Sequence, residues 1–114
     1  MSTLTTLVLV LNVGTVKIEL MPDVAPNHVA QIQTLVEKKA YDGIVFHRVI
    51  DGFMAQTGDV KHGNYQQLNP NLVGTGGSDL PNIAAEFSKV SHQRGVVSMA
   101  RSNNPDSANS QFFI

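Results

Sequence analysis

At 114 residues the chain is one domain at most. Its net charge of −1, with acidic and basic residues mixed along an ordinary apolar fraction of 42%, argues against nucleic acid or an anionic membrane as partner, and the lack of cysteine excludes disulfides and thiolate chemistry. No apolar window approaches a membrane span and the start, Met1 to Thr6, lacks the basic opening of a signal peptide, so a soluble cytoplasmic protein is expected.

Leu7 to Val13 is rich in β-branched and apolar residues and reads as a buried strand. Gly14-Thr15 reads as a turn, and Val16 to Leu20 alternates apolar with charged residues, so the two runs predict an antiparallel hairpin. Met21 to Pro26 is a loop with two prolines. Pro26-Asn27 then opens a helix whose apolar positions are Val29, Ile32, Leu35 and Val36. Glu37-Lys38-Lys39 is expected in its last turn, where lysines suit the helix dipole, and Asp42-Gly43 is expected to stop it. Ile44 to Ile50 predicts a strand with Ile44, Phe46, Arg48 and Ile50 on one face, followed by a tight turn at Asp51-Gly52. Phe53 to Gln56 predicts a second short strand, with Met54 and Gln56 on one face. From Gly58 to Leu80 the chain is a long loop centred on Gly74-Thr75-Gly76-Gly77. Gly95 to Ala100 reads as a strand, Arg101 to Asn109 as a polar loop, and Ser110 to Ile114 as the start of another strand. There is no internal repeat. The pattern is mainly β with one helix, which predicts a small barrel or sandwich.

Phe46 to Asp59 carries the chemistry. An arginine sits in an apolar run, followed by Phe53-Met54 and the amide of Gln56. One reading of Arg48 is a side chain snorkelling from a strand edge. The residues after the turn favour a second reading, in which a weakly screened guanidinium, two apolar side chains and an amide hold a small ring and the peptide bond beside it. Phe53, Met54, Phe112 and Phe113 taken singly read as core, but alternation turns only one of each adjacent pair inward. The histidines, His28, His47, His62 and His92, lack metal-ligand spacing, and Ser98, Ser102 and Ser110 lack a nucleophile context, so no metal and no hydrolytic triad is expected. The glycine loop lacks the Lys-Ser/Thr ending of a phosphate loop, which leaves nucleotide binding a weak alternative.

The chain resembles the cyclophilins, a family of peptidyl-prolyl cis-trans isomerases. The resemblance runs through Phe46-His47-Arg48-Val49-Ile50, Gly52-Phe53-Met54, Gln56, Gly58-Asp59, Gly74-Thr75-Gly76-Gly77, Ala85-Glu86-Phe87, Gly95, Ser98-Met99-Ala100 and Ser110 to Ile114, in the family's order. The compact loops are similar to those of short bacterial members, and Thr57 stands where the family commonly has glycine. The resemblance implies a closed antiparallel β-barrel with capping helices and a groove on its outer face. It implies that Arg48, Phe53 and Gln56 are catalytic and that His47, Met54, Ala100, Arg101, Gln111 and Phe113 bind substrate, with Phe112 turned into the core. It implies no cofactor and no metal. The implied partners are proline-containing peptides and flexible protein segments, with a cyclosporin-type cyclic peptide as inhibitor, and a monomer at full length. A non-catalytic proline-peptide-binding module or chaperone on the same fold is the alternative. The family pattern runs on past Ile114, so residues 1–114 are expected to be roughly the N-terminal two-thirds of one domain, with the last strands and second helix missing.

Overall fold

The computed structural model of the protein describes residues 6–86, 90–91, 93 and 95–114, so the Phe87 and His92 of the sequence reading lie outside the described residues. Strands β1 (Thr6–Leu11) and β2 (Gly14–Glu19) form an antiparallel hairpin, registered from Thr6 opposite Glu19 to Leu11 opposite Gly14. The turn is therefore Asn12-Val13, two residues earlier than expected, and Gly14 closes it at φ 145°. β1 is not buried on both sides. Leu7, Leu9 and Leu11 are half-buried while Val8 and Val10 are exposed, because a two-stranded ribbon has only one face against the core.

Helix α1 (Pro26–Glu37) starts with proline at its first turn, where a missing N–H costs nothing. Its N-cap, Ala25, offers no side-chain acceptor. The carboxylate of Glu86 does so from far along the chain, accepting the N–H groups of Asn27 (3.1 Å) and His28 (2.9 Å). Val29, Ile32 and Leu35 are buried as their spacing required, whereas Val36 is exposed. The lysines fall just beyond the helix. Lys38 is the C-cap, and Lys39 takes the left-handed φ of 58°. The N–H of Ala40 then reaches the Leu35 carbonyl and that of Lys39 the Val36 carbonyl, a Schellman arrangement. The helix thus stops at Lys39, before Asp42-Gly43.

Strands β3 (Arg48–Ile50), β4 (Met54–Thr57), β5 (Ser98–Met99) and β6 (Phe112–Phe113) form the second sheet, in the order β3-β4-β6-β5, all antiparallel. β3, β5 and β6 are shorter than the sequence suggested, and β4 keeps its length but starts one residue later: Ile44 makes only an isolated bridge to Asn64, and residues 45–47 are not strand. No pairing among the described residues joins the two sheets, so the barrel is open, and α1 is the one α-helix described. The core is built of Ile18 from β2, Ile32 from α1 and Phe112 from β6, with Leu7, Leu9, Leu20, Tyr41, Val97 and Met99 packed against them. The ring of Tyr41 meets Phe112 edge-on at 5.9 Å, and its hydroxyl donates to the Ser110 carbonyl at 2.7 Å. Burial raises the pKa of that phenol.

The long glycine loop is organised by one residue. Asp59 is fully buried, and its Oδ1 accepts the N–H groups of Lys61 (3.1 Å) and His62 (2.9 Å) while its Oδ2 accepts those of Gly74 (2.7 Å) and Gly76 (3.0 Å). Burial pushes this carboxyl up, but the four backbone donors outweigh it and hold the pKa below the ordinary value of 3.8. Gly76 has no room for a side chain, since a Cβ there would lie 2.5 Å from Asp59 Oδ1. With its Gly74 and Gly76 N–H groups committed, the loop is not a phosphate cradle.

Two stability predictions follow from these contacts. Lys39→Gly relieves a left-handed side-chain residue and should stabilise the chain by about 1 kcal/mol. An unchanged urea midpoint would rule out strain at Lys39. Asp59→Asn places an amide N–H against backbone donors and should cost about 3 kcal/mol. In the unaltered chain the Asp59 contribution is fully present above the ordinary carboxyl pKa of 3.8 and is lost as pH falls through the lower folded value. Denaturation curves of both chains across acid pH should converge, because the substituted amide cannot titrate.

Candidate functional site

In an antiparallel sheet, directly opposed residues project from the same face. Arg48 lies opposite Gln56, Gln56 opposite Phe113, and Phe113 opposite Ser98, so these four make one row across all four strands. The next row, Thr57–Phe112–Met99, projects the other way and holds the core. Phe112 is 4% exposed and Phe113 half-buried, the split that alternation implied. Met54, two residues before Gln56, joins the Arg48 face opposite Ile50. Ala100 follows two residues after Ser98, and its N–H donates to the Gln111 carbonyl at 2.9 Å.

Seven of the nine expected site residues, Arg48, Phe53, Met54, Gln56, Ala100, Arg101 and Phe113, wall one cavity of about 1120 Å³. Ile18, Val29, Ile32 and Phe112 line the same cavity. The expected groove on the outside of a closed barrel is therefore continuous with the core here, because the barrel is open. Arg48 corrects a second expectation. It is exposed, as are Val49 and Ile50 beside it, so its guanidinium is not desolvated among apolar side chains. Phe53 belongs to the turn, with its N–H donating to the Ile50 carbonyl at 3.0 Å, and is 73% exposed. Arg101 is exposed, and its guanidinium donates to the Ser102 carbonyl at 3.1 Å.

His47 and Gln111 do not line the cavity. The His47 ring lies against Gly74, and its Nδ1 is buried without a partner among the described residues. Burial pushes its pKa below the usual histidine value, with the Arg48 charge acting the same way and Asp59 opposing. Gln111 turns toward the glycine loop. Its Nε2 donates to the carbonyls of Gly74 and Gly76, both at 2.9 Å, and its Oε1 accepts from Gln56 Nε2 at 2.9 Å. Thr57 donates from Oγ1 to the Val45 carbonyl at 2.8 Å, a bond that glycine cannot make.

Sequence reasoning gave no role to Asp59, Glu86 or Ser98. Gly58-Asp59 and Ala85-Glu86 carried only the resemblance, and the donors they serve lie far off in sequence. Ser98 carries the resemblance within Ser98-Met99-Ala100, and its parity with Ala100 marks its face. Among the described residues no three His, Cys, Asp or Glu side chains are placed to hold a metal.

Residues 6–114 match the family model described as cyclophilin type peptidyl-prolyl cis-trans isomerase/CLD. A Brucella suis protein named "Probable peptidyl-prolyl cis-trans isomerase" is 61% identical over 110 residues, which are 96% of this chain and 56% of that protein. Peptidyl-prolyl cis-trans isomerase B of Bacillus subtilis is 38% identical over 100 residues, 87% of this chain and 62% of that protein. The crystal structure of a cyclophilin from Hirschia baltica superposes with a TM-score of 0.74 at 29% identity, over 96% of this chain and 56% of that one. A Cryptosporidium parvum cyclophilin, crystallised in the presence of the dipeptide Ala-Pro, gives a TM-score of 0.79 at 28% identity, over 96% and 66%. The chain spans little more than half the length of the first of these relatives.

The two phenylalanines of β6 separate packing from the site. Phe112→Ala should lose about 3–5 kcal/mol of stability in urea titrations. Phe113→Ala should lose less than half as much. The reverse order would mean the facing of β6 is wrong.

Proposed function

The chain belongs to the cyclophilin-type peptidyl-prolyl cis-trans isomerases, and on that premise we propose that its Arg48–Gln56–Phe113 row works on X-Pro peptide bonds. The observation that carries this is the alignment of a cation, an amide and an aromatic ring across three hydrogen-bonded strands, with Met54 beside them. Rotation about an X-Pro bond is slow because it breaks amide resonance, a barrier of roughly 18–20 kcal/mol. Catalysis requires binding the twisted state better than either planar isomer. In the twisted state the prolyl nitrogen regains its lone pair and accepts a hydrogen bond. The Arg48 guanidinium is permanently charged and supplies that donor. Phe113 and Met54 take the ring, while Gln56 holds the flanking chain. No proton moves, and His47, held below the usual histidine range, stays neutral beside Arg48, so the rate is level across neutral pH.

Proline-containing peptides and flexible protein segments are the proposed substrates, with a cyclosporin-type cyclic peptide as competitor. An Ala-Pro dipeptide accompanying the Cryptosporidium parvum relative supports that class. We propose further that residues 1–114 form the arginine-bearing part of one isomerase domain, and that closing the cavity over Arg48 takes additional chain.

The test is a prolyl isomerisation assay of the 114-residue chain and of the same chain joined to the C-terminal part of the Brucella suis relative. The joined protein should turn over and the chain alone should not. In the joined protein Arg48→Ala should lower kcat/KM by about 100-fold, the scale of one lost transition-state donor, with peptide affinity falling much less. Peptide binding without turnover in the joined protein would favour the non-catalytic module, and equal losses of turnover and affinity would show that Arg48 only grips.

A further inference from the structure

We infer that Asp59 is a positioning residue for the Gln56 amide, acting through the Gly74–Gly76 loop and the side chain of Gln111. The inference deepens the isomerase reading, on which its functional meaning rests.

The links are consecutive hydrogen bonds. Asp59 Oδ2 takes the N–H groups of Gly74 and Gly76 and so fixes the loop between them. Those two residues then present their carbonyl oxygens to one group, Gln111 Nε2. An amide nitrogen has two N–H donors and its oxygen has none. Turned over, Gln111 would set its oxygen against two carbonyl oxygens, so the loop admits one orientation. That orientation places Gln111 Oε1, an acceptor, toward Gln56, which must answer with Nε2. The Oε1 of Gln56 is left without a donor among the described residues, on the same face as Arg48 and Phe113.

A glutamine on an open strand face rotates freely and offers either end of its amide. Here the far carboxylate removes that freedom. Gln56 presents its carbonyl oxygen and its second Nε2 proton in one fixed order, so it meets a bound peptide with an acceptor and a donor at set positions. Gln111 is thereby a positioning residue and not a wall of the cavity, which agrees with its place outside the lining. The close fit of the loop on Asp59 keeps the register. A Cβ on Gly76 would lie 2.5 Å from Asp59 Oδ1, and one on Gly74 would lie 3.3 Å from the His47 ring.

The experiment reads side-chain amides by NMR in the ¹⁵N-labelled 114-residue chain, not turnover, so its failure and that of the isomerase reading are separate. Both Gln111 Nε2 protons and one Gln56 Nε2 proton should exchange with solvent about tenfold more slowly than those of exposed Gln67, the scale of one net hydrogen bond. Gln111→Met, which leaves the Asp59 contacts in place, should abolish the slow Gln56 proton. Asp59→Asn should abolish the slow protons of both glutamines while the backbone amides of α1 keep their protection. A Gln56 proton that stays slow in either folded variant overturns the inference. Should Asp59→Asn not fold, exchange of the unaltered chain in urea below its transition takes its place. The Gly74 and Gly76 N–H groups and both glutamine amides should then open together with one urea dependence. A glutamine amide that opens independently of the glycines overturns the inference.

Discussion

A single buried carboxylate organises the part of the molecule that carries the site. Asp59 is completely inaccessible, a position that would be strongly unfavourable for an unpaired charge. It is tolerated because four backbone N–H groups converge on its two oxygens. Two come from the turn just after it and two from the loop fifteen and seventeen residues on. One side chain therefore satisfies donors that would otherwise need a strand or helix. The segment between β4 and Leu80 has little regular structure, yet it holds one shape. The backbone of Asp59 adds to this, since its carbonyl accepts the Gly63 N–H at 2.8 Å.

What the sequence revealed and concealed divides along physical lines. Periodicity reports facing, and facing was legible: Val29, Ile32 and Leu35 go inward, and Phe112 and Phe113 part company across β6. Boundaries were less so. The hairpin turn falls on Asn12-Val13 because the Leu11–Gly14 pair closes the ladder, and Lys39 ends α1 in a conformation that glycine more often takes. Exposure was the weakest reading. Whether Arg48, Val10 or Phe53 is covered depends on what lies over them, and no local pattern encodes that. Roles of Asp59, Glu86 and Gln111 were hidden for a related reason, since each serves groups remote in sequence and identified only by the folded chain.

Exposure of Arg48 bears on the proposed chemistry. A guanidinium in water already has its donors solvated, so a further hydrogen bond to a prolyl nitrogen gains little. The same group under an apolar ring and a closed wall is worth far more. The cavity that runs from Arg48 to Ile18 and Ile32 is too open to exclude water by itself. In the proposed mode of binding, a proline ring over Phe113 and Met54 would supply part of the cover by displacing water from the neighbourhood of Arg48. On the proposed reading, how strongly Arg48 acts depends on how fully the open core around it is covered.

The distribution of charge follows the same logic. The net charge of −1 suggests a neutral surface, but several acids are spent on the protein's own donors. Asp59 serves the glycine loop, Glu86 the start of α1, and Asp106 the N–H of Ala85. Glu19 accepts from the Thr6 hydroxyl. Among the described residues the one ion pair is His28 with Glu86 at 3.8 Å. Arg48 and Arg101 both line the cavity, and among the described residues neither has a carboxylate partner. On the proposed reading, a carboxylate beside Arg48 would compete for the donors that a twisted prolyl bond needs, and its removal would carry a desolvation cost. Using acids as internal clamps avoids both. Among the described residues Asp59 clamps the glycine loop, and no carboxylate is paired with Arg48.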